Sequence, residues 1–178
     1  MTIFHANDPT TRFLSLLYQG REDIRCHITE KNTNVDVLRA LRNDDTFMML
    51  GHGNPYGLFS VPNKEGSYER FLITGRHVQF LRDKLCIGIW CYAEEFALRY
   101  GLHGLFSGMV ISELDEARMF NIEATQGEII REREQFVHDL LSCIRSYGLK
   151  ETPEKMLQKS KGAAPLTRFN YESLYYLE

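Results

Sequence analysis

The chain has 178 residues, 43% of them hydrophobic and 25% charged, with a formal net charge of -3; this predicts one sizeable core and a single domain over residues 1–178. The absence of a basic excess argues against nucleic acid as a partner, and no apolar run is long enough to cross a bilayer. The four cysteines, Cys26, Cys86, Cys91 and Cys143, form no Cys-x-x-Cys pair and suggest neither a zinc site nor a secreted disulfide framework; the start MTIFHANDP has no basic targeting segment, so a cytoplasmic protein without cofactor is expected.

In chain order, short apolar runs alternate with helix patterns, the signature of βαβ units and a parallel sheet. Thr2 to His5 reads as a first strand, Thr10 to Tyr18 as a helix with Phe13, Leu14 and Leu17 on one face, and Ile24 to Ile28 as a second strand. Asn34 caps a helix carrying Leu38 and Leu41. The apolar run Thr46 to Leu50 then stops at Gly51-His52-Gly53.

Residues 54–66 are rich in Gly, Pro and Asn, with a small hairpin expected at Gly57 to Ser60. Thr74 caps a helix through Leu81, and a second apolar run, Leu85 to Trp90, stops at Cys91. A helix from Tyr92 to Tyr100, closed by Gly101, starts directly behind that cysteine. A third apolar run, Leu105 to Ile111, is expected to be another core strand ending at Ser112 to Glu116, its tip near the same cleft.

Residues 1–120 thus form a sheet core, and residues 121–178 read as a helical part. Thr125 and Glu128 make a capping box for a helix with Ile129, Ile130, Phe136, Val137, Leu140, Leu141 and Ile144 inward, ended by Gly148. Thr152-Pro153 reads as the N-cap and first position of a shorter helix through about Lys159. The tail Tyr171, Tyr175 and Tyr176 is expected to dock on the core.

Strand tips of parallel sheets carry ligands, so His52 and Cys91 can meet across a cleft. A thiol attacks carbonyls as thiolate, and the helix start behind Cys91 and an imidazole from His52 both favour that form. The amides of Gly53 and Cys91 are candidates for an oxyanion hole. A cysteine at a strand end also reads as an inert small hydrophobe, and a histidine between glycines as a turn residue; the conjunction of the two is what carries weight. His5 and His27 approach the same sheet edge but lack a partner thiol or carboxylate, and read as structural.

An apolar strand followed by His52-Gly53 and, 39 residues after the histidine, an apolar strand followed by Cys91 resembles the caspase-like clan of cysteine peptidases. The clan includes caspases, metacaspases, legumain, gingipains, clostripain, separase and bacterial CHAT proteases. The segment Gly108-Met109-Val110-Ile111-Ser112 followed by Asp115-Glu116-Ala117 is also similar to the strand after the cysteine in CHAT proteases. The resemblance covers roughly residues 1–120 and implies a three-layer αβα sandwich with a mostly parallel central sheet, caspase-like. It also implies a Cys-His dyad acting on a protein or peptide substrate through a thioester, with an activating partner or a homodimer left open. Where many clan members have a small residue before the nucleophile this chain has Trp90, which fits a core position, a changed pocket or a silent relative that binds a protein or small signalling ligand. Glu113 and Asp115 are candidate acidic walls of a substrate pocket, while a solvated helix start is the competing account. A flavodoxin-like anion binder is a third reading, without a glycine-rich phosphate fingerprint.

Overall fold

The computed structural model describes residues 1–178. Strands β1 (Thr2–His5), β2 (Cys26–Ile28), β3 (Thr46–Leu50), β7 (Leu85–Ile89), β8 (His103–Ser107) and β9 (Leu174–Leu177) form one sheet in the order β2-β1-β3-β7-β8-β9. All neighbouring pairs are parallel except β8 with β9. A separate antiparallel sheet is made by β4 (Gly53–Asn54), β5 (Gly57–Phe59) and β6 (Phe71–Thr74), in that order. The helices are α1 (Asn34–Asn43), α2 (Ala93–Tyr100), α3 (Leu114–Met119), α4 (Gln126–Ser160) and α5 (Pro165–Glu172), with 3₁₀ segments at Pro9–Leu17 and Gly75–Phe80. No helix is long and apolar enough to cross a membrane.

Alternation along the buried strands sorts the side chains into two cores. In β3, Phe47 and Met49 join Val37 and Leu41 of α1 and Phe96 and Ala97 of α2 on one face. Met48 and Leu50 join Leu14 and Leu17 of the first 3₁₀ segment and Phe136, Val137 and Leu140 of α4 on the other. The sheet is therefore covered on both faces, which is why its central strands read as unbroken apolar runs.

Several boundaries differ from the sequence expectation. The first helix is 3₁₀ and starts at Pro9, with the Asp8 carboxylate accepting from Thr10 N. Thr33, one residue before Asn34, caps α1 through a reciprocal box with Asp36. The hairpin begins earlier, at Gly53, and Thr74 closes β6 before capping the short Gly75–Phe80 segment. The third apolar run is displaced: β8 is His103–Ser107, and the chain leaves the sheet at Gly108. Val110 and Ile111 remain buried, but the Asn170 side chain accepts from Ile111 N at 2.7 Å and donates to Ile111 O at 3.0 Å. A buried side-chain amide thus replaces the strand ladder there.

The last third is not all helical. Gly148, at φ 76° and ψ 174°, is non-helical and ends the first part of α4 as expected, but Thr152 serves as no cap for the second part, its hydroxyl donating to Gly148 O at 2.7 Å. After α5 the tail returns as β9, with Tyr176 paired to Leu105 and Tyr175 to Phe106. Residues beyond 120 therefore complete the sheet as well as cover it.

His5, at the tip of β1, illustrates how burial sets a charge state. Thr11 gives its hydroxyl proton to Asp8 O at 3.3 Å, so its oxygen accepts from His5 Nε2 at 3.2 Å, and Tyr18 OH donates to His5 Nδ1 at 3.1 Å. Burial first, and then the neighbouring His27, lower its pKa from 6.5 to about 4. Unfolded His5 takes up a proton below about pH 6.5, whereas folded His5 resists until about pH 4. The unfolded state binds more protons in that window, so stability falls as pH drops from about 6.5 to about 4, by about 3 kcal/mol from this group. Thermal unfolding from pH 7 to pH 4 is expected to flatten in His5→Gln; an unchanged slope would remove His5 as its source.

Candidate functional site

Two register partners set the site. In the parallel pair of β3 and β7, Leu50 lies opposite Ile89 and Met49 opposite Gly88. Both strands stop there, and His52 and Cys91 each lie two residues beyond the Leu50–Ile89 pair, at the carboxyl edge of the sheet. Gly51 N donates to Ile89 O at 3.1 Å and prolongs the ladder as far as the residue before His52. Both residues line one pocket of about 20 Å³ with Thr11, Leu14, Gly51 and Ser112, enough space for about one water. No hydrogen bond joins the two side chains.

His52 is oriented by a network whose other members were not singled out in the sequence. Thr10 donates its hydroxyl proton to Asp8 Oδ1 at 2.8 Å, so the same oxygen accepts from His52 Nε2 at 2.8 Å. This assigns the proton to Nε2 and leaves the Nδ1 lone pair free. Asp8 also accepts from Thr10 N at 2.9 Å and from Tyr68 OH at 2.7 Å. Burial works to raise the Asp8 carboxyl, but the bonds from Tyr68 and Thr10 together outweigh it and hold the group below the usual carboxylate range. The Tyr68 ring stands 5.4 Å from the imidazole. The sequence cue for this network was Asp8-Pro9, a helix start directly after β1, which brings Thr10 to the same sheet edge as His52.

Cys91 is held by its neighbours. Ser107 of β8 accepts from Trp90 N at 3.0 Å and donates to Trp90 O at 2.8 Å, clamping the residue before the cysteine. Tyr92, directly after it, is left-handed at φ 66° and ψ 33°, a conformation that costs a non-glycine residue about 1–2 kcal/mol. The result is a sharp strand-to-helix turn with Cys91 at its apex. The expected help from helix amides is partly spent elsewhere, since Tyr92 N donates to Gly108 O at 3.2 Å and Ala93 N to Trp90 O at 3.1 Å. The Cys91 amide donates to no oxygen acceptor.

The sulfur is turned inward, 3.8 Å from Val110 O and 4.0 Å from Glu116 Oε1. Burial, and after it the Glu116 carboxylate, push the Cys91 thiol up to about 12. Glu116 is itself raised above the usual range by burial.

The remaining sequence candidates are distributed unevenly. Gly53 is the first residue of β4, and because Phe59 N donates to His52 O at 2.8 Å, the adjacent Gly53–Leu58 pair is a non-hydrogen-bonded one. Its amide therefore points away from the hairpin ladder, at the free edge of the small sheet. Trp90 is 2% exposed, stacks edge-on against Phe96 and donates from Nε1 to Asn54 O at 3.3 Å, so its ring occupies a core position, and the residue also lines the pocket shared by His52 and Cys91. Glu113 is half-buried at the start of α3. The Asp115 side chain is 87% exposed and paired with Arg118 at 2.8 Å, away from the thiol. The carboxylate beside Cys91 is Glu116, not Asp115. Its sequence signal was a capping box between Glu113 and Glu116, which turns the later carboxylate back toward the chain entering the helix.

The chain matches no family model and no curated protein.

Proposed function

We propose that this chain is a caspase-like cysteine endopeptidase with Cys91 as nucleophile and His52 as general base and acid. The observation that carries the reading is the equal offset of His52 and Cys91 from the Leu50–Ile89 pair at the carboxyl edge of a parallel sheet. In the reaction, His52 Nδ1 takes the Cys91 proton, and Sγ bonds to the scissile carbonyl carbon. The carbonyl electron pair moves to oxygen, which the Gly53 and Cys91 amides are suited to hold. Collapse breaks the C–N bond, and the leaving amine takes the proton from His52. Water then gives a proton to His52 and attacks the thioester carbon, the C–S bond breaks, and the thiol regains its proton. Thr10 and Asp8 hold the imidazole in one orientation through each step, because the Thr10 hydroxyl accepts from Nε2 while donating to the carboxylate.

A second reading has its own support: a caspase-like module without turnover that binds a protein or small signalling ligand in the same cleft. The pocket has room for about one water, and the thiol faces a carboxylate in place of the imidazole. An acyl-forming peptidyl probe separates the two. Labelling of Cys91 that is lost in His52→Ala, together with hydrolysis of a matching peptide, is expected for the peptidase. A Cys91 that stays unlabelled with every probe sequence supports the binding module.

A further inference from the structure

Glu116 has no part in the reaction just described, yet its carboxylate stands 4.0 Å from the nucleophile. Its Oε2 accepts from Ser112 N at 2.7 Å, Glu113 N at 3.0 Å and Ser112 Oγ at 3.3 Å, which pins the carboxylate. Its Oε1 has no donor except the Cys91 thiol 4.0 Å away. Glu116 and, after it, Glu113 oppose a thiolate at Cys91 electrostatically, and at Glu116 itself His52 favours the carboxylate while Glu113 opposes it. A carboxylate at this distance opposes formation of a thiolate. The same carboxylate, half-buried and with one oxygen unused, is a strong acceptor for an ammonium or guanidinium.

We propose that Glu116 is the specificity-determining residue of the Cys91–His52 site and couples recognition to reactivity. A cationic group of the substrate engages Glu116 Oε1, cancels its field at the sulfur, and lets the proton pass from Sγ to His52 Nδ1. A peptide that brings no cation meets a thiol still held protonated. Entry of any peptide also requires the segment Gly108–Glu113 to yield, because the Val110 carbonyl stands 3.8 Å from the sulfur. This rests on the reading of Cys91 and His52 as the reacting pair.

The test uses the full chain and three acyloxymethyl ketone probes that differ only in the residue beside the reactive carbonyl: Arg, its neutral isostere citrulline, and Asp. The rate of Cys91 modification is read by mass. The wild type is expected to react at least about tenfold faster with the Arg probe than with citrulline, and slowest with Asp. In Glu116→Gln the Arg and citrulline rates are expected to converge. Iodoacetamide, which carries no recognition group, reads the thiol alone, and Glu116→Gln is expected to be alkylated at Cys91 about tenfold faster than the wild type at pH 7. Equal Arg and citrulline rates in the wild type overturn the proposal without recourse to any variant, so misfolding of Glu116→Gln cannot shield it. Discrimination unchanged in a folded Glu116→Gln overturns it as well. Failure of the reacting pair has a different signature: the iodoacetamide difference persists while an Arg peptide is not hydrolysed and His52→Ala changes no rate.

Discussion

Cys91→Ala is expected to lower peptide turnover by about five orders of magnitude, to the level that binding and the oxyanion amides alone provide. Its melting temperature is expected to stay near that of the wild type, because the change removes one sulfur from a partly exposed residue and leaves the Ser107 clamp on Trp90 in place. Cys26→Ala, Cys86→Ala and Cys143→Ala are expected to keep turnover, with a loss of stability for the buried Cys86 and Cys143. Acidity does not single out Cys91: burial pushes Cys86 up to about 12 too, and raises Cys26 and Cys143. What distinguishes Cys91 is its place beyond β7, beside the tip of β3. Steady-state hydrolysis and thermal unfolding of the four variants check this, and substantial turnover in Cys91→Ala would eliminate the assigned nucleophile.

Gly53→Ala is expected to damage stability and site together. A Cβ on Gly53 would lie 2.1 Å from Trp90 Cδ1 and 2.6 Å from Gly57 O, far inside contact distance. Neither neighbour is free to move: Trp90 is 2% exposed and clamped, and Gly57 is paired with Thr74 across the small sheet. Overpacking of this kind costs about 3 kcal/mol, which for a chain of this size lowers the melting temperature by about 6–12 °C. The hairpin must swing away from the Cys91 turn to relieve the clash, carrying the Gly53 amide out of the proposed oxyanion position, so kcat is expected to fall in the folded fraction by about a hundredfold. Gly127→Ala is the control, since its Cβ would meet only Arg131 Nη1 at 3.4 Å on an exposed turn of α4. That variant is expected to be as stable as the wild type or slightly more so. Full kcat in Gly53→Ala would remove Gly53 from the oxyanion site.

The apolar runs of β3 and β7 were legible because strands buried on both faces favour apolar residues at nearly every position, a pattern that survives without knowledge of their partners. His52 and Cys91 could be singled out for the same reason: each interrupts such a run at the end where parallel sheets bind ligands. The sequence by itself thus determined the parallel core and the two residues at its edge. The tertiary structure decided what surrounds them, because those neighbours arrive from distant segments and follow no local period. Asp8 and Thr10 come to His52 from the β1 tip and Tyr68 from a loop before β6. Glu116 lies beside Cys91 where residues 108–113 leave the sheet, and there Asn170, from the other end of the chain, satisfies the Ile111 backbone. The Trp90 ring is buried in the space that Gly53 and Gly88 leave around it, a fit that no local pattern announces. The tail likewise carries no mark of its partner: Leu174–Leu177 is a strand because β8 offers an open edge, and an edge belongs to the fold, not to the segment that covers it.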